Sequence, residues 1–492
     1  MKKLFYLIFI LFHLCALETH SKGHWTTEWM ASARMSGGSA QYLPFWAHTG
    51  NYGIVPTTSG AVLTLGGDVA YRSQRGFFFE GGVNLAGWAA ADVDQDKADV
   101  RGMIERMHVS AGWKMLRADV GMLPRQKELG DLSVTGGNMM WSSNARNIPG
   151  INLKADWIYP VKWFAFRGNL AHYVMNDRRS VEGTLLHDKS LEARLDLGSA
   201  FSVSGGLEHI AQWGGVSEKY GPQPSSFNDY MRVFFAQSGG DDATVSDQVN
   251  VLGNHLGREY VRVECEADRF ALLLQYDKTY EDGSGARLYN CPDGVWSLKV
   301  QNKDTKAFVT DFVYEYINTT WQSGPLHDRP ATEEEMKEQD PSDFYYGRIS
   351  LKGRDDYFNN SMYRSGWTYH GRVIGLPLIG GLAYDENGVV TGLWCNRVRA
   401  HHLGLGGNLA DGCPYVFKST YSRNYGRYAQ KDDSVYASVP WQLSMALEIG
   451  VLGGMTRLPV DFWVGAYTDL GQMYPDSFGL SIRVMHRGSR TF

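Results

Sequence analysis

The sequence predicts an all-β fold, a transmembrane β-barrel of the outer-membrane type. Three observations carry this reading. Segments with alternating apolar and polar residues recur from about residue 60 to the C-terminus, broken by Gly, Asn or Asp turns. The chain is rich in Gly (56 of 492) and in aromatic residues (13%), and poor in Pro (16), a composition that suits strands and tight turns. The N-terminus has the form of an export signal. The small net charge of -5 comes from interspersed charges with no Lys/Arg block, which argues against a nucleic-acid partner.

The export signal comes first along the chain. Lys2 and Lys3 precede an unbroken apolar run from Leu4 to Phe12, followed by small residues at Ala16, Ser21 and Gly23. The run is too short for a spanning helix. Residues 1–22 are therefore read as a cleaved signal peptide, with cleavage after Ala16 or near Ser21. Bulky His13 and Leu14 argue against lipoprotein processing at Cys15. Residues 23–492 are read as one barrel domain with insertions near 221–256 and 324–362. Length alone suggests about three domains, but the alternating segments have no break of the kind that separates domains.

The strands follow. In Trp441–Val451 the residues Trp441, Leu443, Met445, Leu447, Ile449 and Val451 alternate with Gln442, Ser444, Ala446, Glu448 and Gly450. This is a period of two. Phe478, Leu480, Ile482 and Val484 repeat the pattern, as do Phe201, Val203 and Leu207, and a strand opens at Phe270. Further candidates lie at 61–73, 75–90, 103–122, 151–158, 161–175, 189–198, 257–266, 294–302, 305–321, 366–376, 393–403, 414–423 and 457–468, giving about sixteen to eighteen strands. A soluble sandwich alternates in the same way, with its apolar face toward a core. Export, aromatic clusters at strand ends (Tyr42–Trp46, Trp157–Trp163, Tyr314–Trp321) and Phe492 in phase with the last strand favour the barrel.

Other segments break the alternation. Ser225–Gln237 opens with a Ser cap and reads as one or two helical turns; 243–252 is similar. In 331–339, Thr332 and Glu335 have capping-box spacing. Residues 324–360 exceed a hairpin turn, and in a barrel such long connections lie on the extracellular side, where they can fold inward to plug the lumen.

No catalytic signature holds: there is no HExxH, G-x-S-x-G or Walker A loop. His401 and His402 are adjacent on a strand and face opposite sides, which disfavours a joint metal site. No metal site, cofactor or enzymatic activity is expected. After the signal only Cys265, Cys291, Cys395 and Cys413 remain, too few for a disulfide scaffold. Cys395 with Cys413 is the favoured pair if any forms, Cys265 with Cys291 the other; free thiols are an equal alternative.

Three segments combine aromatics with Gly, Asn, Arg and carboxylates: Glu208–Pro224, Gly324–Thr332 and Asp355–Arg372. Such side chains can stack on sugar rings and meet hydroxyls or sugar carboxylates. Tying loops together in a barrel mouth is the bland reading of the same residues.

Long runs in the non-strand parts are similar to the capsule assembly Wzi family of outer-membrane proteins, in the form found in Bacteroidetes-like bacteria. They are GLEHIAQWGG (206–215), PSSFNDYMRVFFAQSGGDDATVSDQVNVLGNHLGREY (224–260), YEDGSG (280–285), HDRPATEEEMK (327–337) and YRSGWTYHGRVIGLPL (363–378). The resemblance implies a barrel of eighteen antiparallel strands with a lumen closed by helices and inward loops. It implies a non-enzymatic, lectin-like protein of the outer membrane that holds capsular or related surface polysaccharide at the cell surface. Its other partners would be outer-membrane lipid and the barrel-insertion machinery. The alternative is a porin-like diffusion channel. By residue type and loop position, the polysaccharide-binding candidates are Trp213, Trp321, Tyr363, Arg364, Trp367 and Arg372.

Overall fold

The computed structural model describes residues 23–492 except 92–97, 241–242, 245–247, 249–250, 282–287, 326–328, 331, 335–336, 338–343, 346–347, 350–354, 429–433 and 457. Eighteen strands form one sheet. They are β1 (Gly23–Gly38), β2 (Gly60–Ser73), β3 (Phe77–Ala91), β4 (Ala98–Trp113), β5 (Leu116–Met122), β6 (Gly150–Val161), β7 (Phe164–Val174), β8 (Leu185–Leu197) and β9 (Phe201–Trp213), followed by β10 (Asn254–Glu266), β11 (Phe270–Tyr280), β12 (Gly294–Asn302), β13 (Asp311–Asn318), β14 (Val398–Ala410), β15 (Cys413–Asn424), β16 (Trp441–Val451), β17 (Asp461–Gly471) and β18 (Ser477–Thr491). Neighbours pair antiparallel in chain order. β1 also pairs with β18, from Thr26 opposite Thr491 to Gly38 opposite Gly479, and this closes the barrel.

Alternation along each strand gives the barrel two surfaces. Leu63, Leu65, Leu85, Leu191, Leu207, Val261, Leu480 and Ile482 face outward and are exposed as an apolar band. Among the described residues no helix is long and apolar enough to cross a membrane, and crossing falls to these strands. Exposed aromatics flank the band. Trp25, Trp113, Trp163, Phe201, Phe270 and Phe492 lie toward one rim, and Trp296, Tyr421, Tyr474 and Phe478 toward the other. Gly23, the C-terminus and the short turns, such as 74–76 and 114–115, lie at the first rim; the long connections 123–149, 214–253 and 319–397 leave from the second.

The lumen is filled from the long-loop end. Residues 39–59 carry a short helix, α1 (Phe45–His48), and residues 355–397 carry two small hairpins. With 123–149 they form a buried core around Trp46, Met139, Tyr357, Phe358, Trp367 and Leu376. Leu376 N donates to Met139 O at 2.9 Å, and Ser142 N to Ile374 O at 2.8 Å. The plug is tied to the wall through inward-facing strand side chains that accept from its backbone. Glu315 accepts from Val134 N at 2.7 Å, Asp277 from Met139 N at 2.9 Å, and Asp469 from Phe45 N at 2.9 Å. Irregular backbone at membrane depth needs such partners, because neither lipid nor bulk water can supply them.

Several sequence-based boundaries change. The candidate 103–122 is two strands, β4 and β5, joined at Lys114–Met115. Segment 366–376 belongs to the plug, where Thr368–Tyr369 pairs with Arg372–Val373; its apolar side meets protein instead of lipid. Trp46 sits in the lumen, its indole N–H donating to Thr420 Oγ1 at 3.2 Å, and is no part of a girdle. The four cysteines after the signal are free: Cys395 is buried in the plug and Cys413 Sγ lies 3.5 Å from Met455 Sδ, so of the two alternatives the free thiols hold and neither candidate pair is bonded. The predicted signal peptide and about half of the helical segments 243–252 and 331–339 lie outside the described residues.

Candidate functional site

The inner wall carries a charged network. Arg258 Nε donates to Asp277 at 2.7 Å and its Nη1 lies 3.4 Å from Glu208. Arg125 bridges Glu208 and Asp188, while Arg167 and Arg262 share Glu192. Arg258, Glu208, Asp277 and Glu192 are all buried. Such residues are bound to one another and to the plug backbone, as in Arg258 to Gly137 O, so the network holds the plug in place.

Below the plug lies a cavity of about 800 Å³. Arg34, Trp46, Lys127, Lys418, Glu448 and Arg483 are among its lining residues, and it reaches Thr305 and Asn408 near the short turns. Tyr467 Oη donates to Glu448 at 2.7 Å and accepts from Arg34 at 3.0 Å. His402 faces this interior, 2.8 Å from Thr420 Oγ1 and 2.7 Å from Leu132 O. His401 faces outward, 2.8 Å from Tyr314 Oη, so the two histidines do diverge. Among the described residues no three His, Cys, Asp or Glu side chains gather to hold a metal.

The long-loop rim has a cluster of aromatics and arginines. Trp321 is 43% exposed and its indole N–H donates to Tyr289 O at 3.0 Å. Tyr428 Oη donates to Trp321 O at 2.8 Å, and the Arg397 guanidinium lies 3.7 Å from the Tyr428 ring centroid. Arg427 pairs with Asp356 and lies 5.9 Å from the ring of the exposed Trp394. Asp293 supports this rim from below by accepting from Trp321 N at 2.9 Å and Gln322 N at 2.7 Å. Burial raises its carboxyl to about 6.

The six sequence candidates divide by burial. Trp321 and Arg364 are exposed. Trp213 is buried at the end of β9, packed on Tyr230 of α2 (Phe227–Phe234) and on His172. Ser226 caps α2 in a capping box with Asp229, the role the sequence gave to its neighbour Ser225. Tyr363 is buried and donates to Gly214 O at 3.2 Å. Trp367 is buried and donates to Met140 O at 2.6 Å. Arg372 donates to His48 O at 3.2 Å and Val55 O at 2.8 Å; burial and nearby Arg146 lower its pKa to about 10. Trp213, Tyr363, Trp367 and Arg372 thus tie loops together, while Trp321 and Arg364 face solvent. The candidates omitted Trp394, Arg397, Arg427 and Tyr428. The available signal was the Gly-Arg-Tyr sequence at 426–428, directly after a strand.

Comparison with solved structures gives 97% coverage of this chain and 87% of the matched chain for Wzi, an Escherichia coli outer-membrane protein involved in group 1 capsule assembly and a carbohydrate-binding β-barrel. The TM-score is 0.53 at 12% identity. The fold is that of an outer-membrane barrel. OccAB4 of Acinetobacter baumannii matches at TM-score 0.46 and 9% identity, covering 96% of this chain and 100% of that one. OprD of Pseudomonas aeruginosa matches at 0.44 and 11%, covering 96% and 98%. No family model matches the chain, and no curated protein does.

Proposed function

We propose that the protein is exported by residues 1–22, inserted into the outer membrane of a Gram-negative cell by the barrel-insertion machinery, and surrounded there by lipid. In this reading it binds capsular or related surface polysaccharide without turning it over, and so attaches and organises it. The observation that carries the reading is the plug. Loops that would border an open pore instead fill the lumen around Trp367 and Met139, and leave a rim where Trp321 and Trp394 stand beside Arg397 and Arg427. Exposed indoles offer faces for sugar rings, and arginines suit sugar carboxylates. Arg364, on the exposed side of the plug, is a third cationic candidate. Each contact is weak. A repeating polymer engages many copies of the barrel at once, and linkage raises its effective concentration. The carbohydrate-binding function of Wzi, whose fold this chain shares, supports the same reading.

The test is polysaccharide retention. A strain lacking the protein should shed surface polysaccharide into the medium, and normal retention in a strain that makes capsule counts against binding. Planar-bilayer recording separates the porin-like alternative: a silent membrane accords with a plugged barrel, and steady current favours a channel.

A further inference from the structure

At the long-loop end the outward face carries two adjacent rows of different chemistry. Tyr276, Trp296, Tyr316, His401, Tyr421 and Leu443 lie opposite one another in register across β11 to β16. This row has the composition of an interfacial girdle. The next outward-facing position on each strand toward the loops forms a second row. On β14 to β16 it consists of Arg399, Arg423 and Trp441, bounded on β13 by the buried Asn318 opposite Arg399. Two residues of strand advance the chain by about 7 Å, which carries this row from the girdle to the level of lipid headgroups.

Arg399 and Arg423 are directly opposite each other in this row and both are exposed. Like charges at opposed positions repel. Neither forms an ion pair with a carboxylate among the described residues. Arg423 Nε donates to Val439 O at 3.1 Å, and the Arg399 guanidinium lies 5.9 Å from the Tyr425 ring centroid. Directly opposed strand residues are about 5 Å apart at Cα, so two long side chains can reach one anion. A guanidinium matches a phosphate with two parallel hydrogen bonds. Tyr421 and Trp441, stacked with centroids 6.3 Å apart, form an apolar floor beside the pair.

We propose that Arg399 and Arg423 clamp the phosphate of an outer-leaflet glycolipid, a phosphorylated sugar headgroup bearing acyl chains. The long-loop rim belongs to the outer leaflet. The paired charge suits the phosphate, and the girdle below suits the acyl chains. This site is separate from polysaccharide binding on the plug and does not depend on it.

The test uses the folded full-length barrel in phosphatidylcholine nanodiscs doped with phosphorylated lipid A, with retained lipid counted by native mass spectrometry. Near an anionic interface each arginine is worth about a fivefold factor. R423Q should therefore lower retention about fivefold, and R399Q/R423Q roughly twenty-fivefold. Dephosphorylated lipid A should be retained by the unaltered protein no better than by the double variant. Equal retention by unaltered and double-variant protein overturns the proposal. So does equal retention of the dephosphorylated lipid, an arm that needs no variant if R399Q/R423Q fails to fold. Inorganic phosphate that displaces the lipid at equal concentration would mean a free-anion site and would overturn the lipid assignment.

Discussion

The indole N–H of Trp367 lies 2.6 Å from the carbonyl oxygen of Met140, and both residues are fully buried. One hydrogen bond thus joins two plug segments separated by 227 residues of sequence. Trp141 packs edge-on against the same indole at 5.4 Å.

The plug should loosen when that contact is lost. Trp367→Ala removes a large buried ring, a change that costs about 3–5 kcal/mol. Trp367→Phe keeps most of the volume and gives up mainly the hydrogen bond, about 1–2 kcal/mol. Protease cleavage within 355–397 and bilayer conductance should both rise in the order unaltered protein, Phe, Ala. Unchanged cleavage in the Ala variant would mean the plug does not depend on Trp367.

Arg258 stands at the centre of the wall network. Arg258→Ala strands Asp277 inside the barrel, while Glu208 keeps Arg125 at 2.8 Å, and breaking a buried pair from one side costs about 3–5 kcal/mol. The melting temperature of the purified barrel should drop clearly. Adding Asp277→Asn should recover part of that loss, since one uncompensated charge is removed. Additive losses in the double variant would refute the coupling.

Asp293 makes the rim sensitive to pH. Its carboxyl sits at about 6 in the folded protein because of burial, against about 4 in an unfolded chain. The folded state therefore holds the proton more tightly. The stability this contributes is fully present below pH 4 and is lost as pH rises through 6. Asp293→Asn removes the titration. Its melting temperature relative to the unaltered protein should rise between pH 4 and pH 7, and a constant difference would show that Asp293 does not titrate in this window.

Surface and buried candidates should behave differently in binding. Trp321→Ala, with the indole 43% exposed, should weaken retention of surface polysaccharide with little change in melting temperature. Trp213→Ala, at a packed position beneath α2, should lower the melting temperature. Unaffected retention with Trp321 and Arg364 both changed to Ala would move the binding site elsewhere on the rim.

The spanning strands were legible where the outward face is uniformly apolar, as at Phe478, Leu480 and Ile482. β1 was missed because its outward positions after Trp25 and Trp29 include Ala31, Ala33 and Gly37, which dilute the contrast with the inward face. Segment 366–376 was misread for the opposite reason. Its alternation is real, but Trp367 and Tyr369 face a protein core, and a period of two does not say what medium lies against the apolar side. Site candidates chosen by residue type favoured large aromatics, and most of these are buried here because filling a lumen also needs large side chains. Arg397 and Tyr428 stand out only when their loops are folded against each other, since they are far apart from Trp321 in sequence.

The pairing of β1 with β18 brings Thr27 Oγ1 to the carbonyl of Arg490, 463 residues away. Every other neighbouring pair in the barrel can form as soon as the next strand has been made, but this seam requires the last strand. The sheet must therefore remain open, with the backbone edges of β1 and β18 unpaired, until β18 has been made. Closure is the slowest kind of contact to find, so zippering of this single seam is the step at which assembly is most vulnerable to aggregation.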